Sequence, residues 1–152
     1  CPLNVVILSH NNEREFARHL VMQEYAQKID AWIKSVDRGF YDVPYTYRIG
    51  SPSSLARGGG HQKWAKFNPD FFIKIGKDIL VVEIKSDEDV TEENKAKLKY
   101  AIQHFTELNK KQKKFKYHFK FLSPQDFPQF FEAIKAGNYE KYTSNLEAEL
   151  KE

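Results

Sequence analysis

The sequence predicts an α/β domain with a mixed central β-sheet flanked by α-helices, and three observations predict it. Two apolar runs, Phe71 to Ile75 and Ile79 to Ile84, flank Gly76-Lys77-Asp78. A glycine and an aspartate at that place are what a tight turn between antiparallel strands needs. Residues 113–121, KKFKYHFKF, alternate: Phe115, Tyr117, Phe119 and Phe121 point one way, and Lys114, Lys116, His118 and Lys120 the other. Between these strands, and toward both ends of the chain, apolar residues recur every three to four positions, the period of an amphipathic helix. The expected order is helix, strand, hairpin, helix, strand, helix.

Composition sets the bounds. A chain of 152 residues, 41% hydrophobic and 14% aromatic, fits one globular domain with a proper core and excludes a disordered polypeptide. No apolar run approaches the roughly 20 residues that cross a membrane, and a signal-peptide pattern is missing. Cys1 is the single cysteine, so an intrachain disulfide and a cysteine-based zinc cluster are both excluded, and a reducing cytoplasm is the expected compartment. A start at Cys1 rather than methionine reads as a fragment of a larger multidomain polypeptide. Net charge is +3, and the last fifteen residues carry Glu140, Glu147, Glu149 and Glu152 against Lys141 and Lys151, which leaves +5 on residues 1–137. The expected division is therefore a modestly basic domain over 1–137 and an acidic, exposed tail over 138–152. Such a body tolerates phosphates, and ordinary surface charge describes it equally well.

The elements follow in order. Val5 to Leu8 reads as a short strand. Ser9 to Asn12 supply capping residues for a helix running from about Asn12 to Val36, with Phe16, Leu20, Tyr25 or Met22, Ile29, Trp32 and Ile33 on its apolar face. Glu13 lies in its first turn, where the helix dipole favours a carboxylate without any catalytic role. Residues 37–44 read as a turn and Tyr45 to Ile49 as a strand. The stretch 50–62, GSPSSLARGGGHQ, is flexible, and Arg48, Arg57, His61, Lys63 and Lys66 surround it with positive charge. It suits a loop closing on phosphates, or a solvated hairpin loop, and it matches no Walker-type pattern. Thr91 caps a helix to about Asn109 whose apolar face holds Leu98, Ala101, Ile102, Phe105 and Leu108. Lys97, Tyr100 and His104 share a neighbouring face. They reach a bound strand if that face borders the site, and otherwise they are helix surface. The lysines of 113–121 either track phosphates or guard a sheet edge against aggregation. Ser123-Pro124 starts a helix carrying Phe127, Phe130, Phe131 and Ile134, which Ala136-Gly137-Asn138 ends.

The polar residues of the hairpin are oddly placed. Glu83 and Lys85 interrupt a run otherwise as apolar as a buried central strand, and their spacing of two puts them on one face. Asp70 opens the partner strand, so pairing brings two carboxylates and one ammonium to the same edge. Like carboxylates that close repel and lose hydration, and a divalent cation is the simplest compensation.

Pro69-Asp70, twelve intervening residues and then Glu83-Ile84-Lys85 resemble the PD-(D/E)xK nuclease core. NPDF followed by VVEIK is most similar to the nuclease domain at the C-terminal end of type III restriction subunits and related DEAD/DEAH-type helicases. Asn94, Lys97, Ala101, His104 and Phe105 are similar to that family's helix after the core. Glu13-Arg14-Glu15-Phe16-Ala17 is similar to its first helix, which maps an acidic residue onto Glu13. The resemblance spans roughly residues 10–135 and implies a restriction-endonuclease-like core. It implies a DNA endonuclease dependent on Mg²⁺ or Mn²⁺, with Asp70, Glu83 and the Ile84 carbonyl as ligands, Lys85 beside the reacting phosphate and Glu13 as a further acid. Arg57, Lys63, Lys66, Lys97 and His104 are the expected nucleic-acid contacts. The implied partners are DNA, helicase/ATPase domains of the same polypeptide, a methyltransferase subunit and a second copy of the chain, with no membrane. The alternative is a catalytically silent nucleic-acid-binding or partner-docking domain of a helicase.

Overall fold

The hairpin forms where its turn residues lie. In the computed structural model, which describes residues 6–36, 39–50, 57–87 and 89–151, β4 (Phe71–Ile75) and β5 (Asp78–Ile84) pair antiparallel with Ile75 opposite Asp78. Gly76 turns the chain at a φ of +58°, a conformation that a Cβ disfavours. Leu80, Val81 and Val82 are fully buried, as a strand covered on both faces requires. The sheet order is β1–β4–β5–β6, with β1 (Ala31–Lys34) antiparallel to β4 and β6 (Lys116–Leu122) parallel to β5. A parallel neighbour needs a crossover, and the crossing element is α3 (Glu92–Lys111). Its cap is the expected one, the Thr91 hydroxyl accepting the Asn94 amide at 3.1 Å.

The expected helix over 12–36 is corrected. The chain forms α1 (Asn11–Val21), a single turn α2 (Gln23–Ala26) and then strand β1. Met22 breaks the helix with an extended ψ of 130°. Trp32 and Ile33 fit a helical spacing as well as a strand, and pairing decides: Trp32 lies opposite Ile73 and Lys34 opposite Phe71. A second strand also escapes the sequence pattern. β2 (Val43–Ile49) pairs with β3 (His61–Phe67) in a separate two-stranded ribbon. β3 reads as polar because five of its residues, His61 to Trp64 and Lys66, are exposed and Phe67 alone is buried. Val6 and Leu8 pack on the core without forming the expected strand. Val5, residues 37–38 of the expected turn, 51–56 of the glycine-rich stretch, 88 and 152 lie outside the described residues.

Alternation along β5 divides the interior. Leu80, Val82 and Ile84 face Phe16 and Leu20 of α1 together with Phe127, Phe130 and Phe131. Val81 faces Ala101 and Phe105 of α3 and Val43, Tyr45 and Phe67 of the ribbon. The helix carrying those three phenylalanines, α4 (Phe127–Ala136), follows a 3₁₀ turn at Pro124–Asp126 and closes on Gly137 at φ +74°.

The tail, expected to be exposed, is packed. α5 (Asn145–Lys151) buries Leu146 and Leu150 against Leu98 and Phe121, and the buried Glu147 carboxylate accepts the Phe121 amide at 2.7 Å. The tail also meets the lysine face of β6, covering Lys120 and leaving Lys116 exposed. Lys116 pairs with Glu140 at 3.0 Å, His118 with Asp78 at 2.8 Å, and buried Lys120 donates to the Tyr142 carbonyl. Lys116 and Lys120 thus join the tail to β6, which is an edge strand of the sheet, while His118 joins β6 to the start of β5. Leu150→Ala is expected to destabilise the domain by about 2 kcal/mol, the low end for a buried leucine because a terminal helix can shift into the space. Urea denaturation checks it, and an unchanged midpoint means a frayed tail.

Candidate functional site

At the carboxyl end of β5 the two sides of the sheet deliver charge to one place. Asp70, just before β4, accepts the Ile84 amide at 2.7 Å, which ties the mouth of the hairpin shut and sets the carboxylate beside residues 83–85. Glu83 shares the α3 side of the sheet with Val81, is 4% exposed and pairs with Lys85 at 2.9 Å. From the opposite side, Glu13 in the first turn of α1 is 5% exposed and faces Lys34 of β1 at 3.3 Å. Lys34 also lies 3.7 Å from Asp70. Three carboxylates, Glu13, Asp70 and Glu83, and two ammonium groups, Lys34 and Lys85, thus lie at this end of the sheet. Lys34 is the addition. Its place in β1 was hidden by the helical spacing of residues 29–33, and its signal is a lysine at the end of an apolar run, visible once that run is taken as a strand.

The environment explains the titration. Burial raises the Asp70 carboxyl above the ordinary carboxylate value, against the Ile84 amide and Lys34, which lower it. Burial, and then the charge of Asp70, push Glu83 up to about 7. Burial alone would lower Lys85, but the Glu83 charge and hydrogen bond outweigh it and leave its pKa raised. Lys85 is therefore held as a cation.

A cleft of about 510 Å³ opens over this cluster, lined by Glu13, Lys34, Asn68, Asp70, Ile84 and Lys85 among others. Glu83 does not line it; its partner Lys85 does. Among the described residues, three buried side-chain oxygens have no hydrogen-bond partner: Glu83 Oε2, Asn68 Oδ1 and Ser35 Oγ. Asn68 lines the cleft, Glu83 lies beside the cleft residue Lys85, and the Ser35 amide donates to the Asp70 carbonyl at 2.8 Å, so each belongs to a residue next to the cleft lining. Buried oxygens are rarely left unpaired, and hard oxygen donors gathered about raised carboxyls suit a divalent cation.

Glu13 has a structural commitment too. Its Oε2 accepts the amides of Ser9 at 2.9 Å and His10 at 3.5 Å, closing the start of α1. Both readings of that residue describe atoms that are present.

The remaining expected contacts are distributed elsewhere. Lys97 pairs with Glu93 at 3.2 Å and sits over the Tyr45 ring, and Tyr100 bonds the Thr46 hydroxyl at 2.7 Å. His104 bonds Tyr41 at 2.7 Å, and burial lowers its pKa, so the ring is neutral. That face of α3 holds the β2–β3 ribbon and does not line the cleft. Arg57, Lys63 and Lys66 are exposed on or beside the ribbon, Lys66 pairing with Asp42 at 3.2 Å.

A further group could hold a metal ion. Asp78, His118 and Glu140 bring three ligand atoms within 4.8 Å of one another at the turn end of β5, remote from Asp70 along the strand. Glu13, Asp70 and Glu83 do not form such a group in this arrangement.

Among the described residues, no helix is long and apolar enough to cross a membrane. Compared with known proteins, the chain matches no family model, no curated protein and no solved structure.

Proposed function

We propose that this domain is a divalent-metal-dependent nuclease of the PD-(D/E)xK kind that hydrolyses phosphodiester bonds of DNA. The observation that carries the reading is the convergence of Glu13, Asp70 and Glu83 with Lys34 and Lys85 beneath an open cleft, with one Glu83 oxygen buried and unpaired. Asp70, Glu83 and the Ile84 carbonyl would hold Mg²⁺ or Mn²⁺. Bound there, the ion supplies Lewis-acid stabilisation and acidifies a water.

The chain's own groups do the rest. Asp70, fixed by the Ile84 amide, is positioned before any ligand arrives. Lys85 stays protonated beside Glu83 and offers positive charge to the phosphate as negative charge builds on its oxygens. Water adds to phosphorus, the P–O bond to the leaving sugar breaks, and the proton released in the attack ends on that alkoxide or in solvent. The domain acts as a module of a larger helicase-nuclease polypeptide, in which partner subunits such as a methyltransferase set the recognition sequence.

The mutual pairing of Lys85 with Glu83, and of Lys34 with Glu13, favours a second reading, a catalytically silent binding domain whose charges satisfy one another. Titration of Mn²⁺ into the domain and its Asp70→Ala variant, with plasmid nicking on the same samples, separates the two. Saturable binding and nicking by the parent, both lost in the variant, are expected. Equal nicking by the variant sinks the assignment, and absence of saturable binding in the parent selects the silent domain.

A further inference from the structure

The β2–β3 ribbon carries a feature that the cleft does not use. Trp64 is 75% exposed, whereas Trp32 is buried in the core. An indole left in water on a short ribbon gives up a large favourable burial, and its surroundings indicate what covers it. The two strands hold Arg48, Lys63 and Lys66 and no acidic residue, in a chain whose overall excess of basic residues is only three. Trp64 lies directly opposite Thr46 on one face of the ribbon. Thr46 in turn lines a groove of about 620 Å³ between the ribbon and α3, with Arg48 from the ribbon, Lys95 and Lys99 from the helix and Glu92 as the opposing charge; Trp64 stands outside this groove, across the strand pair from Thr46.

β3 then leads to the cleft. It ends at Phe67, Asn68 lines the cleft and Asp70 follows, so Trp64 lies no more than about 20 Å from the carboxylates at the rise of an extended chain. An apolar protein partner would be met by apolar neighbours. The neighbours here are cationic, which complements phosphate.

We infer that the β2–β3 ribbon is a binding platform for an unpaired DNA strand, with a base stacked on Trp64 and the phosphates following Arg48, Lys95 and Lys99 along the groove. Stacking on one exposed indole requires a base with a free face, which a paired duplex does not present. The inference rests on the nuclease reading and names the form of its substrate: a frayed, flapped or helicase-opened end, led along β3 toward Asp70.

The test is fluorescence titration with oligothymidylate in a chelator, so that nothing is cleaved, together with anisotropy of the labelled oligonucleotide. Oligothymidylate is expected to quench the exposed-tryptophan emission and to leave the buried Trp32 emission in place. Trp64→Ala is expected to abolish the quench and to weaken binding about tenfold, the loss of one base–aromatic stack, while Trp64→Phe keeps most of the affinity. Lys99→Ala is expected to reduce the slope of log affinity against log salt by about 0.7. Unchanged affinity in Trp64→Ala, or equal quenching by a blunt duplex, overturns the proposal. Trp64-dependent self-association without DNA, seen by sedimentation, overturns it in favour of a second copy of the chain. Mn²⁺ titration of the same samples keeps the two readings apart, because metal binding without oligothymidylate binding removes the platform and leaves the metal site standing.

Discussion

Lys34→Met is expected to destabilise the metal-free domain by about 3–5 kcal/mol, the penalty for removing one partner of a buried ion pair. The Lys34 side chain is 6% exposed and lies 3.3 Å from Glu13 and 3.7 Å from Asp70. Methionine keeps most of its length, so the loss is electrostatic and not steric, and it includes the ammonium's place 5.8 Å over the Phe71 ring. Glu13 and Asp70 then face each other without an intervening cation. Asp70, already raised by burial, loses the Lys34 charge that lowers it and is raised further, so the deficit should shrink as pH falls and that carboxyl takes up its proton. A divalent ion near Asp70 supplies the missing charge from solution. Mn²⁺ at a hundredfold excess over its dissociation constant returns about 2.7 kcal/mol to any fold that binds it, and tighter binding by the variant raises that return. Thermal melts with and without Mn²⁺ check both parts: a fall in melting temperature of roughly 10 °C without metal, largely recovered with it. A melting temperature equal to the parent's would mean that Lys34 is solvated, and a deficit that Mn²⁺ leaves untouched would place the ion elsewhere, for which Asp78, His118 and Glu140 are the alternative ligands.

Stability of the metal-free protein is expected to fall as pH rises from about 4.5 to 7, by about 3 kcal/mol, because of Glu83. Burial and the neighbouring Asp70 charge push its carboxyl up to about 7, whereas in the unfolded chain it titrates near the ordinary value of 4.5. Within that window the folded state binds a proton that the unfolded state has released, so stability decreases with pH. The contribution is fully present below the unfolded value and gone above the folded one. Asp70, also raised by burial, adds in the same direction. Glu83→Gln should flatten the profile and be more stable than the parent near pH 8, since the amide carries no charge to bury. Saturating Mn²⁺ should reverse the trend, because the ion competes with the protons and binds better as they leave. Urea denaturation across this range is the measurement; a flat profile in the parent would mean that Glu83 is better solvated than its surroundings indicate.

The site was legible in the sequence where polar residues interrupt an apolar pattern. Glu83 and Lys85 stand out against ILVV, and Asp70 follows from pairing two strands across Gly76-Lys77-Asp78. Lys34 was not legible, because Ile29, Trp32 and Ile33 satisfy a helical period and nothing local rejects it. The contacts expected of Lys97 and His104 rest on the family resemblance and on a shared helix face, and that face holds the ribbon.

What the sequence by itself determined is local: the hairpin and its turn, the Thr91 cap, the Pro124 start and Gly137 stop around α4, and alternation along β6. Each depends on backbone preference or on side-chain period within one short segment. Only the tertiary structure decided that residues 31–34 extend, that HQKWAKF pairs with β2, that the acidic tail packs over Lys120 of β6, and that Lys34 meets Glu13 and Asp70. These depend on partners distant in the chain. A strand's hydrogen bonds are completed by another segment, and a buried charge is tolerable only beside its counter-charge, so neither can be read from the segment that carries it.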